Sequence, residues 1–159
     1  MEKRRVRIIR LSNISGTEPV YNRQNAKYNS SSHDAIIIDI NENLNNDIAN
    51  KITVETLDNY CVTRNIQPDF LKIDAEGSEL KILQGATNIL RIYKPKILIK
   101  CEERLAGAHK VAETFKLLRQ LNYTGHFVLD TISIPLSNFD VNVYQNACNN
   151  FYCSNFMFE

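Results

Sequence analysis

The sequence has few glycines and none of the glycine-rich loops that bind phosphate groups. It contains five glycines in 159 residues, and the two closest, Gly77 and Gly85, are eight positions apart. Neither G-x-G-x-x-G nor a P-loop therefore occurs anywhere in the chain. This spacing excludes a nucleotide site built on a glycine-rich loop of the chain's own.

Long apolar runs and an excess of charge of one sign are also absent. The longest unbroken apolar run covers residues 35–38, whereas a membrane-spanning helix needs roughly 20 apolar residues. The chain carries 19 basic and 18 acidic side chains, a net charge of +1, so it offers no bulk attraction to nucleic acid or anionic lipid. We therefore expect binding of neither nucleic acid nor membrane, and a function located in a local site.

The four cysteines and three histidines do not have the spacing of a metal site. No C-x-x-C occurs, and the histidines fall at no ligand spacing, so no metal is expected. Because no secretory signal segment is recognisable, we expect four reduced thiols and a cytoplasmic protein. A redox pair of Cys148 and Cys153 is an alternative, although their apolar, aromatic neighbours favour buried structural cysteines.

Length and composition predict a single domain over residues 1–159, with 43% apolar residues. Strand-like and helix-like runs alternate along the chain, which predicts an α/β fold with parallel strands and covering helices. Strands are expected at residues 6–11, 69–74 and 96–101, and extended pieces around 19–21 and at 51–56, with a short apolar segment at 35–40. Two terminal strands at 127–134 and 141–156 could pair as an antiparallel edge. Helices are expected at residues 57–62, from Ser78 to before Pro95, and along the face formed by Val111, Phe115, Leu118 and Leu121.

Charged residues collect where the predicted strand at 69–74 meets the next helix. Side chains alternate in a strand, so Lys72 and Asp74 share one face while Leu71 and Ile73 share the other. Glu76 and Glu79 follow at the carboxyl end of the strand, where open α/β sheets bind ligands. These carboxylates could hold a ligand ammonium, bind hydroxyls, take a proton or bind magnesium.

A purely structural explanation of the same residues is equally supported by their types. Asp74 could cap the helix, Glu76 and Glu79 could interact with its positive N-terminal end, and Lys72 could be their ion-pair partner. Gly77 could allow a close backbone approach or an unusual turn. Sequence alone leaves the structural and the functional explanation open.

The same region resembles a known family. Residues 68–80, PDFLKIDAEGSEL, followed by LQGA at 83–86, resemble the central signature of the FkbM-type S-adenosylmethionine-dependent methyltransferases. Three further pieces follow the family's order: Leu-Ser-Asn at 11–13 with Gly16, VETLD at 54–58, and KPKILI at 94–99. Together they cover roughly residues 6–125.

The resemblance implies a Rossmann-like class I methyltransferase sheet and S-adenosylmethionine as cofactor. It implies methyl transfer to a hydroxyl oxygen, with a sugar, glycan or small metabolite as acceptor. Asp74 would be the base or an orienting group, Glu76 would position the substrate or a metal, and Lys72 would tune the pair. The cofactor's adenine side would lie near Leu11, Ser12 and Asn13.

The chain also departs from the family pattern. It resembles the C-terminal part of such an enzyme, without the first two strands and the cofactor loop. Lys100 stands where relatives commonly have an acidic residue, with Glu102 as a partial substitute, and Asn13 stands where aspartate is usual. We therefore expect that an N-terminal part is needed for activity.

Two alternative functions follow from these departures. The first is a non-catalytic α/β remnant that acts in binding or assembly, with a partner chain or a homo-oligomer covering the exposed sheet edge. The second is a metal-dependent hydrolase that uses Asp74 and Glu76, which has weaker support because no third ligand stands at a fixed spacing.

Overall fold

The computed structural model describes residues 9–20 and 50–159. A small three-stranded sheet is formed by β1 (Ile9–Leu11), β2 (Gly16–Val20) and β3 (Asn50–Glu55) in the order β1-β3-β2. The central strand β3 is parallel to β1 and antiparallel to β2. The predicted strand at 6–11 is confirmed over its last three residues. Residues 6–8 and the apolar segment at 35–40 lie outside the described residues.

The main sheet has five strands in the order β4-β5-β8-β6-β7. The strands are β4 (Phe70–Asp74), β5 (Lys96–Lys100), β6 (Gly125–Leu129), β7 (Ile132–Pro135) and β8 (Asn155–Phe158). Only the β4–β5 pair is parallel, and the other three pairs are antiparallel. The predicted α/β class is therefore confirmed, but the sheet is mixed rather than parallel throughout.

Six helices accompany the two sheets in the described part of the chain. They are α1 (Leu57–Thr63), α2 (Glu79–Gln84), α3 (Thr87–Ile92), α4 (Glu103–Ala106), α5 (Ala108–Gln120) and α6 (Val141–Tyr144). None of the described helices has the length and apolar character needed to cross a membrane.

The hydrophobic core lies on one face of the main sheet. It joins strand residues Ile73, Ile99 and Phe156 to the inner faces of the helices. The predicted face of α5 is confirmed, because its residues are all buried: Val111, Phe115, Leu118 and the following Leu121. Burial of these apolar side chains supplies the main stabilisation of the fold.

The helix predicted from Ser78 to before Pro95 is two helices. α2 ends at Gln84, and α3 begins at Thr87. The carbonyl of Gly85 accepts a hydrogen bond from Asp58 N at 2.9 Å. The Asp58 carboxylate accepts from Asn88 N at 3.1 Å and from Ile89 N at 2.9 Å. A side chain distant in sequence thus caps a new helix, a break that the apolar spacing does not contain.

The C-terminal prediction is wrong in two respects. Residues 127–134 do not form one strand, because they cover parts of β6 and β7, which pair as an antiparallel hairpin. Residues 141–156 begin with the helix α6, capped by the Asp140 side chain, and only the last part forms β8. β8 lies inside the sheet between β5 and β6, so the strand at the C-terminal edge of the sheet is β7, and β4 forms the other edge. Alternation of apolar residues does not distinguish these arrangements.

Candidate functional site

The parallel pairing of β4 and β5 brings charged residues together at the carboxyl ends of both strands. Asp74 is directly opposite Lys100 in the register, and Lys100 Nζ lies 3.7 Å from Asp74 Oδ1. Lys72 and Asp74 are exposed, whereas Ile73 is buried and Leu71 is half-buried. The predicted division of β4 into two faces is confirmed.

The loop between β4 and α2 is shaped by a buried carboxylate. Glu79 is only 2% exposed, and its carboxylate accepts hydrogen bonds from Ala75 N at 3.2 Å and from Gly77 N at 3.0 Å. The N-cap residue of α2 is Ser78, so Asp74 does not cap this helix. Of the predicted carboxylates, Glu79 is therefore a structural group that holds the loop.

The same loop contains two residues with positive φ angles. Glu76 has φ 48°, a conformation that costs free energy for a side chain other than glycine, and Gly77 has φ 98°. A Cβ atom added at Gly77 would lie 2.9 Å from the carbonyl oxygen of Leu105. Gly77 thus provides both the unusual turn and the close approach that the sequence left open. The exposed Glu76 side chain projects from this turn.

Glu102 is the second buried carboxylate at this end of the sheet. Its side chain is 3% exposed, and Arg104 Nε donates a hydrogen bond to Oε2 at 2.5 Å. Lys100 Nζ lies 3.2 Å from Oε1 as an ion pair, but the angles fall outside hydrogen-bond geometry. Burial raises the pKa of Glu102, and the stronger effect of Arg104 and Lys100 together holds this pKa below its ordinary value.

Lys100 therefore contacts two carboxylates, Asp74 at the end of β4 and Glu102 just after β5. The contact with Glu102 raises the pKa of the Lys100 ammonium, with a smaller contribution from Asp74. The ammonium is positively charged at neutral pH and cannot act as a base. The cation in contact with Asp74 is thus Lys100, while Lys72 lies further down the exposed face of β4.

The residues predicted to bind the cofactor lie at the opposite end of α2 from Asp74 and Glu76. Ser12 is buried and its backbone N donates to Glu55 O at 3.1 Å, whereas Asn13 is exposed and Leu11 packs against the core. A Cβ atom at Gly85 would lie within 2.1 Å of the Ser12 carbonyl oxygen. This segment therefore packs at the C-terminal end of α2, whereas Asp74 and Glu76 precede its N-terminal end.

The stretch at residues 54–58 has a structural role. Thr56 Oγ1 accepts from Asn59 N at 3.1 Å and caps α1, while Asp58 caps α3. The buried Glu55 pairs with Arg64 at 3.3 Å. This stretch joins the end of β3 to two helices.

Burial also decides what the cysteines can do. Burial raises the pKa of the Cys153 thiol, and it raises the pKa of Cys101 to about 12, so both are weak nucleophiles. Cys148 is exposed, contrary to the expectation that Cys148 and Cys153 are both buried. Within residues 9–20 and 50–159, no group of three His, Cys, Asp or Glu side chains is placed to hold a metal ion.

Comparison with known proteins gives the family. The family model of the Methyltransferase FkbM domain matches residues 11–124 of the 159. This match includes β4, β5 and the charged residues at their carboxyl ends. The chain belongs to the FkbM methyltransferase family.

A solved FkbM structure resembles part of the chain. It is the crystal structure of Methyltransferase FkbM from Methylobacillus flagellatus KT, which is 21% identical and superposes with a TM-score of 0.42. The similarity covers 69% of this chain but 24% of that protein. A superposition this loose carries no argument, so membership rests on the family model. No curated protein matches the chain.

Exchanging Glu79 for glutamine tests its role in holding the loop. In Glu79→Gln, the amide oxygen can keep the bonds that Oε1 accepts from residues 75 and 77, but the NH₂ group in place of Oε2 cannot accept from Gly77 N. That NH₂ group becomes a buried donor without a partner there, and the charge that strengthens these bonds is lost. We expect a loss of about 2 kcal/mol in the free energy of unfolding, measured by urea denaturation. The exposed neighbour provides the control, since Glu76→Gln should stay within about 0.5 kcal/mol of the wild type. Equal effects would contradict the assignment.

The ion pairs of Glu102 predict a pH dependence of stability. Because the pKa of Glu102 is lowered in the fold, its contribution is present above the ordinary carboxyl value of 4.5 and is lost as pH falls through the lower folded-state value. Glu102→Gln should cost about 2 kcal/mol at neutral pH. The difference from the wild type should shrink steadily between about pH 5 and pH 3. A difference that does not change with pH would refute this role.

Proposed function

We propose that this chain provides the acceptor side of an S-adenosylmethionine-dependent O-methyltransferase site. The observation that carries the proposal is the placement of Asp74 and Glu76. Both carboxylates are exposed where β4 ends. The loop that follows is held by its hydrogen bonds to Glu79 and by the close approach of Gly77 to Leu105. Membership of the FkbM family supports methyl transfer as the reaction.

The chemistry of these side chains fits part of the cofactor. S-adenosylmethionine carries an ammonium, a sulfonium and ribose hydroxyls, and the carboxylates of Asp74 and Glu76 suit such groups. The exposed amide of Asn13 suits the adenine ring. The five scattered glycines provide no cofactor loop. We therefore propose that a loop of this kind is contributed by a preceding segment or by a partner chain.

Asp74 would carry the proton transfer. When bound, S-adenosylmethionine supplies a methyl group on a positively charged sulfur. An acceptor hydroxyl beside Asp74 would give its proton to the carboxylate while its oxygen forms the new bond to carbon and the sulfur–carbon bond breaks. Lys100, in contact with Asp74, would orient that carboxylate toward the acceptor hydroxyl. Glu76 would orient the acceptor, for which we propose a small molecule or a glycan.

The edge of the main sheet supports an interaction with another strand. In the described residues, β4 is the last strand on its side, and its Phe70 is 52% exposed. Unpaired strand edges are normally covered or protected. We propose that the cofactor loop and a strand beside β4 come from the same preceding segment or partner.

A second candidate function is a non-catalytic binding or assembly module. The ion pair between Lys100 and Asp74 favours it, because it engages the proposed base with a cation. The two candidates differ in their response to cofactor and acceptor, and only the first predicts turnover.

The test is the turnover of the complete enzyme, reconstituted with the segment or partner that carries the cofactor loop. Asp74→Asn keeps the size of the side chain but removes the proton acceptor, so the rate should fall at least about 100-fold. The rate is measured as the production of S-adenosylhomocysteine with a panel of hydroxyl acceptors. Asp69→Asn, at an exposed aspartate just before β4, is the matched control and should keep the wild-type rate. Unchanged turnover in Asp74→Asn would exclude Asp74 as the base.

A further inference from the structure

Gln145 makes an unusually complete set of hydrogen bonds for a side chain so far from the candidate site in sequence. It is 6% exposed and follows α6. Its Nε2 donates to the carbonyl oxygens of Cys101 at 2.7 Å and Cys153 at 2.9 Å. Its Oε1 accepts from Glu103 N at 2.6 Å. Both N–H groups and the oxygen of the amide are therefore used.

Two of these bonds hold the backbone on either side of Glu102. One contact is with residue 101 and the other with residue 103, so Gln145 restrains the backbone from which the Glu102 side chain projects. The backbone of Glu102 is extended, with φ −125° and ψ 129°, and its carbonyl begins α4 by accepting from Leu105 and Ala106.

The backbone at Gln145 is held by hydrogen bonds and by the packing of the neighbouring Tyr144 ring. Its backbone N donates to Val141 O at 2.9 Å, and the carbonyl of the preceding Tyr144 accepts from Cys153 N at 2.7 Å. The ring of Tyr144 packs against Phe127 and Phe139, with centroids 4.6 and 5.8 Å away. A partly buried aromatic cluster therefore supports the position from which the amide reaches the segment after β5.

The contact between Glu102 and Lys100 depends on this placement. Glu102 Oε1 is buried and lies 3.2 Å from Lys100 Nζ, so the attraction between the two opposite charges is strong. The position of the ammonium therefore follows the position of the carboxylate. If Glu102 turned away, Lys100 would lose its closer anchor and keep the longer contact of 3.7 Å with Asp74.

We propose that Gln145 is a positioning residue that sets Lys100 beside Asp74 by fixing the carboxylate of Glu102. Gln145 touches neither Lys100 nor Asp74 and acts through the backbone of residues 101 and 103. The consequence for methyl transfer rests on the proposed function, whereas the placement of Glu102 does not.

The experiment measures the titration of individual carboxyl groups by ¹³C NMR in the folded chain. The groups that face Glu102 are Lys100, Arg104, Tyr152 and the thiol of Cys101. In Gln145→Met, which removes the amide without adding charge, the carboxylate should move away from both cations. The pKa of Glu102 should then rise from its lowered value. Gln145→Asn, which retains an amide on a shorter side chain, should give a smaller rise and is decisive if the methionine variant does not fold.

Two controls separate positioning from general loosening. Hydrogen bonding with Lys96 lowers the pKa of Glu159, and this group should titrate unchanged in both variants. Gln120→Met, at an exposed glutamine ending α5, should leave Glu102 unchanged. Unchanged titration of Glu102 in a folded Gln145 variant would overturn the proposal, as would equal shifts of Glu102 and Glu159. The measurement needs no cofactor, so its outcome is independent of the test on Asp74.

Discussion

The parallel pairing of β4 and β5 determines which side chains meet at the candidate site. Its register sets Asp74 opposite Lys100, and it brings the loops that follow both strands into contact where Gly77 approaches Leu105. A shift of β4 by one residue would turn Asp74 into the core and expose Ile73. The buried face of the sheet therefore fixes the geometry of the exposed one. The helices that pack on that face stabilise the site, and α2 also provides Glu79, which holds the loop after β4.

Two buried carboxylates support two exposed ones. Glu79 holds the loop after β4, and Glu102 holds the Lys100 ammonium at the end of β5. Because buried charges are expensive unless they are paired, these two have structural partners, whereas Asp74 and Glu76 are open to solvent. The division between support and chemistry thus follows from burial.

The sequence predicted the elements better than their connections. Strands β3, β4 and β5 and the buried face of α5 followed from apolar spacing, and the FkbM resemblance is confirmed by the family match. The division of α2 from α3 depends on Asp58, and the insertion of β8 between β5 and β6 depends on long-range pairing, so neither has a local signal. Within the site, Asp74, Glu76 and Glu79 look alike in sequence. The roles of Glu79 and Gln145 emerge only from hydrogen bonds across the fold.

The most direct test of the proposed site is a backbone-amide NMR titration with S-adenosylhomocysteine of the chain reconstituted with the segment or partner that carries the cofactor loop, carried to millimolar concentration so that weak binding is detected. The proposed site predicts concentration-dependent shifts in two segments, Ser12 with Asn13 and the loop from Asp74 to Gly77. Residues such as Asn122, beyond the end of α5, should not move. Saturable shifts confined to those segments would support a methyl-donor site at the carboxyl ends of the strands. Shifts elsewhere, or none at saturating ligand, would contradict it.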